Sequence, residues 1–232
     1  GEGKTVAVKC LKDKKYLPNM LKEIRVLEHI SHNAFPNVIL AEADSMWFAM
    51  DYISGPTIGE WCKTEGLDGI KTVFHDLCDA LLVLHTAGQI HGDVKTSNIR
   101  MEPSGRTKLI DFGSVTDMTP AESGFRGTFG YVSPEVLRGK TPGPLSDVYG
   151  LGVVLYEALT GRSPFPTRDP AALAYVPLTS LPVPPSAFAA DIPDEWDALV
   201  LEMLCREPEC RPQSIQEVIE RLRTLPLERS KP

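Results

Sequence analysis

The sequence predicts an α+β protein of two lobes, a small β-rich one followed by a larger, mainly helical one. Three observations carry this. In the first fifty residues, the stretches 5–9, 38–40 and 47–50 are rich in β-branched and aromatic residues, the composition of strands. Ser54-Gly55-Pro56 then breaks the pattern and reads as a linker. Beyond it, apolar residues recur at positions 73, 74, 77, 81 and 84, the spacing of one helical face. The division expected is 1–53 for the small lobe, 54–226 for the large one and 227–232 for a tail, with the hinge near 51–56.

The elements follow in order. Residues 5–9 read as a buried strand. A helix is expected from Pro18 or Asn19 to His29, with Met20, Ile24, Leu27 and Ile30 on one side. Residues 38–40 and 47–50 read as a hairpin. A helix over 70–85 is closed by Ala87-Gly88, and a short strand pair lies near 99–110. Residues 147–159 form an apolar helix ended by Gly161. Eight prolines between 164 and 193 predict a packed irregular connection, and the last helices fall at 194–205 and 213–225.

The bulk numbers exclude several classes. A net charge of −7 argues against a general nucleic-acid binder. No apolar run reaches the length of a membrane-spanning helix, and no signal peptide is seen, so a cytoplasmic setting is expected. Cys10, Cys62, Cys78, Cys205 and Cys210 are odd in number and scattered, which speaks against a disulfide framework. Cys205 and Cys210 lack further ligands for a metal and read as packing residues.

The opening GEGKTVAVKC offers two lysines. Gly-Lys-Thr ends a phosphate-binding loop only if a helix follows it. Here Thr5-Val6-Ala7-Val8-Lys9 follows, a strand pattern, which turns attention from Lys4 to Lys9. Three further stretches are His91-Gly92-Asp93-Val94-Lys95-Thr96-Ser97-Asn98, Asp111-Phe112-Gly113, and Gly127-Thr128-Phe129-Gly130-Tyr131-Val132-Ser133-Pro134-Glu135. Asp93 and Asn98 are five residues apart, and Asp93 and Asp111 eighteen. In this order, with V-A-V-K upstream, they resemble the eukaryotic-like (Hanks-type) serine/threonine protein kinases, in a bacterial-looking form. The resemblance runs from residue 5 to about 225.

It implies an ATP- and Mg²⁺-dependent transfer of a phosphoryl group to Ser/Thr hydroxyls of a protein substrate, with Mn²⁺ as a possible substitute metal. Lys9 would hold the α- and β-phosphates, steadied by Glu23, with Glu28 the alternative. Asp111 and Asn98 would bind the metal. Asp93 would orient or accept the hydroxyl proton, and Lys95 would neutralise the moving phosphate. Ala7, Met50, Asp51 and Ile53 join Lys9, Glu23, Asn98 and Asp111 among the cofactor-contacting residues. His91 is implied to pack beneath Phe112, with Leu27 in the same stack, and Gly113 completes the tripeptide. Asp147 is implied to hold the catalytic-loop backbone and Glu135 to pair with Arg211. Thr128 fits the Ser/Thr type.

Three departures qualify the reading. Eight residues precede Lys9, too few for two strands and a glycine-rich turn. The chain therefore reads as N-terminally truncated, with Gly1 and Gly3 in the turn before the third strand and with weak ATP binding expected. Gly92 stands where the family usually has an Arg that meets a phosphorylated loop. Activity is then expected not to depend on modification of Ser114, Thr116, Thr119, Ser123 or Thr128. Arg100 stands where an apolar residue usually floors the adenine pocket. A pseudokinase acting as an interaction module and a small-molecule hydroxyl kinase, a class that also carries H-G-D, remain alternatives.

Overall fold

The computed structural model describes residues 5–42, 44–118 and 127–228. The turn expected at Gly1 and Gly3, the hydroxyls of Thr119 and Ser123, and the last four residues of the tail lie outside this range.

Strands β1 (Val6–Cys10), β2 (Val38–Glu42) and β3 (Trp47–Asp51) form an antiparallel sheet with β3 in the centre. β1 pairs with β3 so that Ala7 faces Met50 and Lys9 faces Phe48. The strand is present as expected, but it is not buried. Val6 is 38% and Val8 54% exposed, because β1 lies at the edge of the described sheet and turns its β-branched face outward. Helix α1 (Leu17–His29) carries Pro18 in its first turn, where a missing N–H costs nothing. It buries Met20, Ile24, Val26 and Leu27 along one stripe.

The remaining elements are mostly helical. They comprise α2 (Ile58–Trp61), α3 (Leu67–Thr86), α4 (Pro134–Leu137), α5 (Pro144–Thr160), α6 (Val176–Thr179), α7 (Asp194–Met203) and α8 (Ile215–Thr224). Helix α3 buries Val73, Phe74, Leu77, Leu81 and Leu84. Every residue of α5 from Asp147 to Tyr156 is buried, the all-round burial of a central helix. It starts one turn earlier than the apolar run suggests, since Gly143 and Pro144 open it ahead of the first valine. The proline-rich connection is not wholly irregular, as it contains α6 and short 3-10 turns at Pro170–Ala174 and Pro185–Ala187.

Two small ribbons lie among the helices. Strands β5 (Ile99–Met101) and β6 (Thr107–Leu109) are the pair expected near 99–110. Strands β4 (Gln89–Ile90) and β7 (Thr116–Asp117) pair across a long interval and were not foreseen, because two-residue strands carry no periodic signal. The linker crosses β5 closely. A Cβ on Gly55 would fall 1.3 Å from the Met101 carbonyl oxygen, so only glycine fits there. Among the described residues, no helix is long and apolar enough to cross a membrane.

Candidate active site

Side chains alternate along β1, so Ala7 and Lys9 share its less exposed face. Lys9 Nζ donates to both oxygens of Glu23, at 2.9 and 2.7 Å, and to Asp111 Oδ1 at 2.6 Å. Glu28 is excluded as the partner. It lies five residues further along α1, about 140° round the helix, and is exposed. Burial alone would lower the pKa of Lys9, but the carboxylates of Glu23 and Asp111 outweigh it and raise it. The amine is therefore a cation at neutral pH. Burial raises the pKa of Glu23, opposed by Lys9 and by the Phe112 N–H, which donates to Oε1 at 3.1 Å. Burial would also raise Asp111, yet Lys9 prevails and holds that carboxyl below the usual range.

Asp111 has φ 64°, in the left-handed region. Asp tolerates this conformation better than most residues, and strain of this kind clusters at functional sites. Phe112, next along, is buried, with its ring edge-on to His91 at 5.3 Å and to Phe35 at 5.0 Å. The sequence pointed to His91 and Leu27. Leu27 is buried in the same cluster, but the second ring against Phe112 is Phe35. Burial lowers the pKa of His91, so the ring is neutral and has a packing role.

The loop after β4 is fixed from behind. Asp147, in the first turn of α5, accepts from the N–H groups of His91 and Gly92, each at 2.9 Å. A third partner is His85 Nε2 at 2.9 Å. Burial would raise its pKa, but the His85 bond and these amides outweigh it. Gly92 itself has φ 76°, and a Cβ there would stand 3.0 Å from the Ser114 carbonyl oxygen. Backbone geometry thus explains the glycine directly. Gly92→Ala is expected to cost about 1–2 kcal/mol, lowering the thermal midpoint by roughly 2–8 °C. Differential scanning calorimetry checks this, and an unchanged midpoint would remove the argument.

Asp93 is held on both oxygens. Thr128 Oγ1 donates to Oδ1 at 2.8 Å and Lys95 Nζ to Oδ2 at 2.5 Å, while Lys95 also donates to Thr128 Oγ1 at 2.7 Å. Asn98 Nδ2 donates to the Asp93 carbonyl at 3.0 Å and to its Oδ2 at 3.3 Å. That leaves the amide oxygen of Asn98 without a partner among the bonds to Asp93. Ile110 N donates to the Asn98 carbonyl at 2.8 Å, which sets Asn98 beside Asp111. A carboxylate and an amide oxygen are hard donors of the type that suits Mg²⁺.

Farther along the sheet, the β1–β3 register brings Ala7 opposite Met50. The Asp51 carboxylate is turned to Asn37, accepting from its N at 3.0 Å and its Nδ2 at 2.6 Å. Any ligand contact there falls to its backbone. Ile53 follows in the linker, half-buried between exposed Tyr52 and Ser54. Arg100 reaches the same linker, with Nη1 donating to the Gly55 carbonyl at 3.1 Å.

The segment after Thr128 is anchored by Glu135. Its carboxylate takes both Nη atoms of Arg211, at 3.0 and 2.7 Å, and Ser146 Oγ at 2.9 Å. One cluster escaped the sequence reading. Glu157 of α5 accepts from Tyr131 Oη at 2.7 Å and from Thr96 Oγ1, and burial raises its pKa. The available signal was a carboxylate set among apolar residues near the end of α5.

The family model described as "Protein kinase domain" matches residues 1–222. The chain belongs to the protein kinase domain family. This kinase domain is 38% identical over 181 residues to the "Serine/threonine-protein kinase PknB" of Mycolicibacterium smegmatis, covering 74% of this chain and 29% of that protein. It is 35% identical over 243 residues to a "Probable serine/threonine-protein kinase PknB" of Corynebacterium glutamicum, covering 93% and 37%. A similarly named protein of Bifidobacterium longum is 31% identical, covering 90% and 34%. The kinase domain thus spans about a third of the length of these curated relatives.

Proposed function

We propose that the protein is an ATP- and Mg²⁺-dependent serine/threonine kinase acting on protein hydroxyls, in a cytoplasmic signalling role. The observation that carries this is two polar clusters joined through the backbone bond from Ile110 to Asn98. Lys9, Glu23 and Asp111 form the phosphate end, and Asp93, Lys95, Thr128 and Asn98 form the hydroxyl end.

In this reading Lys9 binds phosphate oxygens as a cation whose position Glu23 sets. Asn98 and Asp111 would hold Mg²⁺, which when bound supplies positive charge toward the phosphate oxygens. Asp93 orients the substrate hydroxyl and takes its proton at a carboxylate oxygen. Lys95 sits beside it to offset charge on the transferred group. Ala7, Met50 and the backbone of Asp51 and Ile53 receive the base. In this reading the lobes divide at 53/54, and the base would lie against the linker between them. A pseudokinase is favoured by one observation, the Arg100 guanidinium at the linker carbonyl of Gly55.

The test is transfer from γ-labelled ATP to a Ser/Thr-rich basic protein by the intact protein, with Mg²⁺ and before and after phosphatase treatment. Labelled phosphoserine or phosphothreonine, undiminished by the phosphatase, is expected. No transfer would favour the pseudokinase. Label on a small hydroxyl compound alone would favour a small-molecule kinase, and activity lost to phosphatase would overturn the independence argued from Gly92.

A further inference from the structure

Glu23 meets both Lys9 of β1 and the Phe112 amide only while α1 keeps its rotation and its distance from each. Lys22, its neighbour on α1, points to β7. Lys22 Nζ donates to Asp117 Oδ2 at 2.8 Å, and Gln89 Nε2 donates to Asp117 Oδ1 at 2.7 Å. Gln89 and Asp117 are also register partners across β4 and β7, and Met118 N closes the ribbon on the Gly88 carbonyl at 3.1 Å. One residue beyond Gln89, β4 ends and the His91–Asp93 loop begins. The tie therefore joins the helix bearing Glu23 to the strand bearing the catalytic loop.

Apolar packing is incomplete at this point, although Val26 is buried. A cavity of about 390 Å³ opens between the same elements, lined by Leu21, Arg25, Val26 and Gln89 among others, and Leu21 is 40% exposed. The ion pair spans the gap instead. Adjacent helix residues are about 100° apart, so fixing Lys22 also fixes the direction in which Glu23 leaves the helix.

We propose that Lys22 and Asp117, braced by Gln89, are positioning residues that hold α1 so that Glu23 stays on Lys9. The clamp is built from the chain's own charges, which supplies a physical basis for a site that needs no added phosphate. This rests on reading Lys9–Glu23 as the phosphate-binding pair. The side chains of Lys22 and Asp117 are 27% and 51% exposed, so the pair belongs to the modest, salt-sensitive class.

The experiment uses the intact protein with Lys22→Met, Asp117→Asn, the charge-exchanged pair Lys22→Asp/Asp117→Lys, and Arg25→Met as a control from the same cavity. It reads kcat, KM for ATP, and hydrogen exchange of the Phe112 amide, which donates to Glu23. Each single variant at 22 or 117 is expected to lower kcat/KM for ATP about two- to fivefold, the range an exposed pair supports. Phe112 exchange should quicken by a similar factor, the exchanged pair should recover toward wild type, and high salt should shrink all the differences. Singles no different from Arg25→Met, an unchanged Phe112 amide, or an exchanged pair no better than the singles would overturn the clamp. If wild type transfers no phosphate, the functional reading fails alone, and Phe112 exchange still decides the clamp.

Discussion

Asp111→Asn is expected to reduce Mg²⁺-dependent phosphoryl transfer by about 10²–10³-fold or more, roughly 3–4 kcal/mol of transition-state stabilisation. The folded state should barely change. Asn tolerates the left-handed backbone that Asp111 adopts at φ 64°. The Asp111 side chain is 45% exposed, so its ion pair with Lys9 contributes at most about 1 kcal/mol to stability. The Lys9–Glu23 pair survives the substitution, which separates the chemical effect from a structural one. What is lost is negative charge at the proposed metal position. Steady-state turnover together with thermal unfolding checks this. A variant that keeps a tenth or more of wild-type turnover would refute the metal-binding role.

The second large effect concerns stability. Arg211 uses all its donors. Nη1 and Nη2 grip Glu135, Nη1 also meets the Leu145 carbonyl, Nη2 the Arg206 carbonyl, and Nε the Cys205 carbonyl at 2.9 Å. Its guanidinium lies over the buried ring of Tyr149, 5.0 Å from the centroid. Arg211→Leu would strand a buried carboxylate and three carbonyls, at a cost of about 3–5 kcal/mol. For a chain of this length that corresponds to a fall of roughly 6–20 °C in the midpoint.

The pH dependence gives the prediction a sign. Burial would raise Glu135, but the Arg211 bonds outweigh it and hold its folded pKa below the ordinary glutamate value of 4.5. The pair's stabilisation is therefore complete above that ordinary value and is lost as pH falls through the lower folded-state pKa. In Arg211→Leu the cation is gone and only hydroxyl and backbone bonds still oppose burial, so Glu135 takes up a proton more readily. The stability gap between wild type and variant should be largest near neutral pH and narrow toward pH 4. Urea unfolding at the two pH values measures it. A gap below about 1 kcal/mol at neutral pH, or one that widens in acid, would contradict the argument.

Glu23 shows how far the sequence reaches. Two glutamates on one predicted helix were candidates for Lys9, with Glu23 preferred through the family resemblance and Glu28 kept as the alternative. The tertiary structure chooses Glu23, 1% exposed, since α1 packs with the Met20–Ile24–Leu27 stripe inward and carries Glu23 with it. Glu157 illustrates a different limit. Its role depends on Thr96 and Tyr131, residues 61 and 26 positions away, which only the fold brings to it.

By itself, the sequence determined the elements and the order of the chemical groups. The strand at Lys9, the amphipathic helices and the H-G-D, D-F-G and S-P-E stretches are local patterns, and local patterns follow from backbone sterics and burial periodicity. Only the tertiary structure decided the pairings: Lys9 on Asp111 across 102 residues, Lys22 on Asp117 across 95, and Arg100 on the Gly55 carbonyl. It also turned Val6 and Val8 outward on an edge strand that read as buried. The reason is physical. Hydrophobic period specifies which face of an element is covered, whereas the partner that covers it, and the distant charges that meet there, depend on how the elements pack together.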